Sequence, residues 1–138
     1  MLNPSTANQL IAAAQAARQH AYAPYSRFAV GAAVMDAEGH IHAGANVENA
    51  AYPQGLCAEA SAIAHMVLAG GRRIVAVAVV GDGPQPVTPC GGCRQKLREF
   101  AADDTPVLVA GPAGERARYT LGELLPASFG PEHLQGSA

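Results

Sequence analysis

Ile74-Val75-Ala76-Val77-Ala78-Val79-Val80 is an apolar run rich in β-branched residues, and its reading decides the fold. A half-buried strand alternates apolar with polar residues; a run without alternation marks a central strand covered on both faces. Helices must then lie on both sides of it. Upstream, Ile63, Met66 and Val67 suit a helix from Cys57 to Leu68, which Gly70-Gly71 stops. Downstream, the loop 81–89 leads into a helix that starts near Cys90 or Gly91, carries Leu97 and Phe100, and stops around Ala102. A strand over 106–110, a turn at Gly111-Pro112-Ala113-Gly114, a last strand over 116–119 and one capped helical turn over 120–125 complete this half.

Working toward the N-terminus, Asn46 to Gly55 has turn residues and no periodicity, so it is a loop between strand and helix, the kind of segment that carries binding groups. Phe28 to Met35 and Ile41 to Ala45 are apolar runs joined by a short Gly-containing loop, which predicts a hairpin. Ser5 or Thr6 can cap a surface helix over roughly 6–22, with Leu10, Ile11, Ala14 and Ala17 on its apolar face. Strands interleaved with helices after one hairpin predict a three-layer α/β/α sandwich on a mixed five-stranded sheet. The 138 residues are one domain's worth, with a loose polar tail over 130–138. At 49% hydrophobic, 5% aromatic and no Trp, the core must be built from Ala, Val, Leu and Ile, which implies close backbone packing.

Composition also excludes classes of function. A net charge of -2, with no run of five Lys or Arg, offers no field for a nucleic acid polymer. There is no apolar span long enough for a membrane, and residues 1–20 lack the charged start and unbroken apolar run of an export signal, so a cytoplasmic location is expected. Three cysteines, two of them in a C-x-x-C, favour metal or redox chemistry over a disulfide framework in such a chain.

Cys90 and Cys93, three apart at a helix start, lie on one face and can reach one ion. Helix N-termini favour the thiolate that binds metal. Taken alone, Cys90-Gly91-Gly92-Cys93 reads equally as a redox dithiol or as small core residues. Cys57, which also precedes a helix, adds a third thiol and shifts the balance to zinc, because three protein ligands leave the open fourth position of a catalytic site. Residues two apart in a helix do not face each other, so Cys57 must sit at the cap if Glu59 is to serve the same site. Glu59 is then either the proton-moving carboxylate or a first-turn acid that complements the helix dipole.

Cys57-Ala58-Glu59 with Pro89-Cys90-Gly91-Gly92-Cys93 resembles the zinc nucleoside deaminases, and Cys at position 57 looks like their small homotetrameric cytidine deaminase branch. The likeness extends to 25–33, 46–50, 93–95 and 124–129, in order and over nearly the whole chain. It implies one Zn²⁺ per subunit held by Cys57, Cys90 and Cys93, and hydrolytic deamination of cytidine or 2′-deoxycytidine in pyrimidine salvage, with Glu59 as the catalytic acid and base. By the same resemblance Phe28 would line the pyrimidine pocket, and Asn46 and Glu48, with Val47 between them, would meet the ribose. Tyr52 would stand at a subunit contact, and Phe129 would reach into a neighbouring subunit's site and cover the base. Without it, Phe28 reads as a core strand residue, Asn46 and Glu48 as turn residues, and Phe129 as a tail anchor.

The family often carries Arg directly after the catalytic Glu, offsetting the thiolate charge; here that position is Ala60. Arg94 and the two helix N-termini are expected to compensate. Blasticidin-S deaminases also lack that Arg, so a deaminase of another aminopyrimidine is one alternative. A second, from a different class, is a non-enzymatic protein stabilised by a structural zinc, which needs a fourth ligand from His20, His40, His42, His65 or His133.

Overall fold

The computed structural model describes residues 2–135. Five strands, β1 (Gly31–Asp36), β2 (Ile41–Ala45), β3 (Ile74–Val80), β4 (Pro106–Gly111) and β5 (Gly114–Thr120), form one sheet in the order β2-β1-β3-β4-β5. Only β3 and β4 pair in parallel; the remaining neighbours are antiparallel, so the sheet is mixed. A parallel pair needs a crossover, supplied by α3 (Gly91–Arg98), while α2 (Ala58–Leu68) links β2 to β3 and α1 (Pro4–Arg18) precedes the sheet.

The period of two along the strands divides the core. Ala32 and Val34 of β1, with Val77 and Val79 of β3, pack against α2 and α3 through Ala62, Ile63, Met66 and Leu97. Ala33 and Met35, with Ala76, Ala78 and Val80, face the other way and meet Ala7, Leu10, Ile11 and Ala14 of α1. Three layers result, with β3 covered on both faces from Ala76 to Val80, while Val75 near its start is exposed. Small residues set the layer spacing: a Cβ at Gly31 would stand 2.0 Å from Ala14 O, and one at Gly44 would stand 2.4 Å from Ala62 N. Both helices therefore ride directly on backbone, and α2 in particular is held against β2 at the end that leads to Cys57.

Several boundaries differ from the sequence-based expectation. Asn3, not Ser5 or Thr6, caps α1 by accepting from the Thr6 N–H, with Pro4 at the first helical position, and the helix ends at Arg18. The first strand begins at Gly31, because Arg27 takes φ 59 and the chain over 27–30 is irregular, which removes Phe28 from the strand. Next, α3 ends at Arg98 and not near 102. The turn at 120–125 is α4 (Leu121–Leu124), closed by reciprocal bonds between Thr120 and Glu123. Of the tail expected to be loose, Glu132–Gln135 forms the short helix α5 and Glu132 pairs with Arg98, while 136–138 lie outside the described residues. Among the described residues no helix is long and apolar enough to cross a membrane.

Candidate metal centre

Cys57 is the N-cap of α2 and Cys90 the N-cap of α3, each in extended backbone and neither spending its side chain on the helix. Cys93 is the third residue of α3 and fully buried, whereas Cys57 and Cys90 are exposed. The three sulfurs lie within 4.8 Å of one another. Zn–S bonds of about 2.3 Å in a tetrahedron set sulfurs about 3.8 Å apart, so a small closing movement brings all three onto one ion. Among the described residues no histidine, aspartate or glutamate joins this group. His42 is spent on Asp36 at 2.8 Å and His65 faces Ala43 O at 3.2 Å, which leaves the structural-zinc alternative without those ligands.

Electrostatics favour a cation here. Burial pushes the Cys93 thiol far above its ordinary value, and Glu59, Cys57 and Cys90 add to the rise. Cys57 is also raised, by desolvation first, although the residue as a whole is exposed. Cys90 goes the other way, first because the nearby Cys93 backbone N–H favours its thiolate. Glu59 is 4% exposed, and burial raises its carboxyl, partly offset by its own backbone N–H, the Cys93 thiol and Lys96. Four acidic groups facing one another cannot all ionise unaided; a bound divalent ion removes the conflict, and a three-thiolate set suits zinc.

A cavity of about 190 Å³ opens beside the sulfurs, lined by Phe28, Asn46, Cys57, Glu59 and Cys90 among others. Val30, Ala58, Val79, Val87 and Thr88 complete its wall. Sequence reasoning missed these five, because their place in the wall depends on how the segments 27–30 and 81–89 fold over the site. Glu48 and Tyr52 line a separate cavity of about 370 Å³, Val47 lines neither, and Phe129 is absent from both.

Asn46 and Glu48 hold the segment that carries Phe28. Asn46 Oδ1 accepts from the Val30 N–H at 2.9 Å and its Nδ2 donates to Phe28 O at 2.8 Å. Glu48 Oε1 accepts from the Tyr25 and Ser26 N–H groups, each at 3.0 Å, and Oε2 accepts from the Ser26 hydroxyl. One Nδ2 hydrogen of Asn46 and acceptor capacity on Oε2 of Glu48 remain for a ligand. Arg94, expected to offset thiolate charge, directs its guanidinium to Pro89 O (2.7 Å), Leu124 O (2.8 Å) and Thr88 Oγ1 (3.1 Å), so it braces the loop leading to Cys90.

Residues 4–109 match the cytidine and deoxycytidylate deaminase zinc-binding region. A cytidine deaminase from Sporosarcina psychrophila is 43% identical over 130 residues, covering 94% of this chain and 96% of that protein. Another, from Halalkalibacterium halodurans, is 45% identical over 125 residues, 91% of this chain and 95% of the relative. The crystal structure of cytidine deaminase from Burkholderia pseudomallei superposes with a TM-score of 0.83 at 43% identity, covering 88% of this chain and 98% of the other. With three thiols converging at two helix starts, a buried glutamate beside them, and a matching region that spans most of its length, this chain belongs to the zinc-binding cytidine and deoxycytidylate deaminase family.

Proposed function

We propose that the chain, read as one catalytic domain, carries out zinc-dependent hydrolytic deamination of cytidine and 2′-deoxycytidine, giving uridine and 2′-deoxyuridine and releasing ammonia. The observation that carries the reading is the convergence of Cys57, Cys90 and Cys93 beside buried Glu59, with no fourth protein ligand among the described residues. When bound, zinc supplies the Lewis acidity that makes water nucleophilic near neutral pH. The chain's own residues do the rest.

Glu59 takes a proton from water as the oxygen adds to C4 of the pyrimidine and delivers it to N3; it then takes the second proton from the new C4 hydroxyl, as that oxygen becomes the carbonyl, and passes it to the departing amine. The C4–N bond breaks with both electrons leaving on ammonia, and no redox change occurs. Burial suits Glu59 to alternate between charged and neutral forms. Phe28 meets the base from the cavity wall, and we assign the ribose hydroxyls to the spare capacity of Asn46 on that wall and of Glu48 in the separate cavity beside Tyr52, with Val47 between them. At about 190 Å³ the cavity falls below the range usual for ligand sites, which supports a wall completed by another subunit. Tyr52, 74% exposed, and Phe129, 55% exposed, are the residues we assign to that contact, in a homotetramer acting on free nucleosides in the cytoplasm.

Loss of the cytidine ultraviolet chromophore on adding zinc-replete protein, abolished by a chelator and restored by zinc, tests the reading. Glu59→Ala should keep its zinc and lose turnover by several orders of magnitude; near-normal turnover would remove Glu59 from the role. Ala60 favours one further reading, a deaminase of another aminopyrimidine. Turnover of such a compound with none on cytidine would decide for it.

A further inference from the structure

Between α4 and α5 (Glu132–Gln135) the chain runs as a strap along α3. It begins at Ala127, whose φ of 49 puts an alanine in the left-handed region, a conformation that persists only where its surroundings over-determine it. Two residues three apart on α3 supply that hold. Gln95 Nε2 donates to Phe129 O at 2.9 Å, and Arg98 Nε donates to Ser128 Oγ at 2.7 Å. The terminal nitrogens of Arg98 pair with Glu132 on the far side of the strap.

Between these two anchors the strap passes directly over the guanidinium. Gly130 is buried there, and a Cβ on it would stand 2.3 Å from Arg98 Cζ. The ring of Phe129 stacks on His133 with centroids 4.9 Å apart and 19° between planes, yet the residue is 55% exposed. Its backbone carbonyl and one face of its ring are held, while more than half of the residue remains exposed among the described residues.

At about 100° per residue, Gln95 lies roughly 200° around α3 from Cys93, so the strap is on the flank turned away from the metal-facing side. Phe129 accordingly does not line the cavity of its own chain. We propose that Gln95 and Arg98 are positioning residues, which hold Phe129 through the Ser128–Glu132 strap in the pose that enters the cavity of a second copy of this chain. The proposal rests on the assignment of Phe129 to base contact made above. Its substance is that α3 does two jobs from opposite flanks, supplying two thiols to its own centre and presenting an aromatic wall to another. A pre-ordered Phe129 spares the cost of ordering it when substrate binds, so loosening the strap should weaken substrate binding more than chemistry.

Steady-state kinetics on cytidine with zinc-replete Arg98→Ala, Arg98→Lys, Gln95→Ala, Phe129→Ala and the Arg98→Ala/Phe129→Ala double variant tests it. Arg98→Ala should raise KM about tenfold, with kcat within about threefold and zinc content unchanged; Gln95→Ala should shift KM less in the same direction. Arg98→Lys, which keeps the charge but loses the fork, should fall between. The double variant should match Phe129→Ala alone, because a clamp has no effect once its cargo is gone. Multiplied effects in the double variant, or a wild-type KM in Arg98→Ala beside a raised one in Phe129→Ala, would overturn the clamp.

A wild-type KM in Phe129→Ala would overturn the assignment of Phe129 itself, and the clamp with it. Mixed assemblies of Glu59→Ala and Phe129→Ala chains separate the two copies. There the surviving glutamate sits in a chain lacking Phe129, and the Glu59→Ala neighbour can offer one. A return toward the wild-type KM is expected; a KM fixed at the Phe129→Ala value would place Phe129 in its own chain's site and contradict the proposal.

Discussion

Replacing Asn46 by alanine should loosen the cavity wall and destabilise the fold by a predictable amount. The side chain grips one segment at two points, sixteen and eighteen residues away in sequence, accepting from the Val30 N–H at 2.9 Å and donating to Phe28 O at 2.8 Å. Each bond contributes about 1 kcal/mol net, and the half-buried Val30 N–H left without a partner adds up to about 1 kcal/mol more, whereas Phe28 O is exposed and can be hydrated. The expected loss is therefore about 2–3 kcal/mol, or a fall in Tm of roughly 5–10 °C. The backbone bonds Asn46 N to Val30 O and Tyr22 N to Asn46 O survive the substitution, so the chain still folds.

Asn46→Asp separates the two interactions. It keeps the acceptor for Val30 but sets a carboxylate oxygen against the Phe28 carbonyl, so it should be at least as destabilising as alanine. Urea unfolding at fixed saturating zinc is the assay, because zinc stabilises the folded state by mass action and must be held constant. A loss below about 0.5 kcal/mol for Asn46→Ala, or wild-type stability for Asn46→Asp, would refute the argument that this side chain pins the Phe28 segment.

Two further predictions concern the frame around the site. Asp36 is buried and accepts from His42 Nε2 at 2.8 Å and from the Glu38 and His40 N–H groups; His42 first, then these amides, hold its carboxyl below the ordinary 3.8. A depressed folded value contributes stability that is present above 3.8 and lost as pH falls through the folded value. Acid unfolding should therefore show a steep branch below that pH which Asp36→Asn lacks; an unchanged acid branch would contradict it. Gly44→Ala should cost at least about 3 kcal/mol and weaken zinc binding, since backbone meets backbone and α2 must retreat with Cys57 and Glu59. Gly39→Ala, with open space but φ +90, should cost about 1 kcal/mol and leave zinc binding unchanged.

The parts of the molecule written in local sequence were the readable ones. The unbroken run over 74–80 required cover on both faces, and the structure supplies α1 on one side with α2 and α3 on the other. Cysteines beside helix starts could be recognised from spacing, and Cys57 and Cys90 are both N-caps. What escaped depends on long-range partners. Phe28 was expected to begin a strand because its neighbours are apolar, but Arg27 at φ 59 and the side chain of Asn46 hold 27–30 as irregular chain. Arg94 could be seen as a nearby charge, yet its destinations, Pro89 O and Leu124 O, depend on how α4 docks. The tail is polar in composition, and only the position of Arg98 on α3 explains why part of it is held.

X-ray absorption at the zinc edge of the loaded enzyme tests the central claim most directly, because it counts the ligands. Three sulfurs at about 2.3 Å and one lighter atom at about 2.0 Å, the latter displaced by a substrate-like inhibitor, are expected. A fourth sulfur, a histidine nitrogen in the fourth position, or a first shell unchanged by the inhibitor would mean that no coordination site stands open beside Glu59, and the catalytic account would fail.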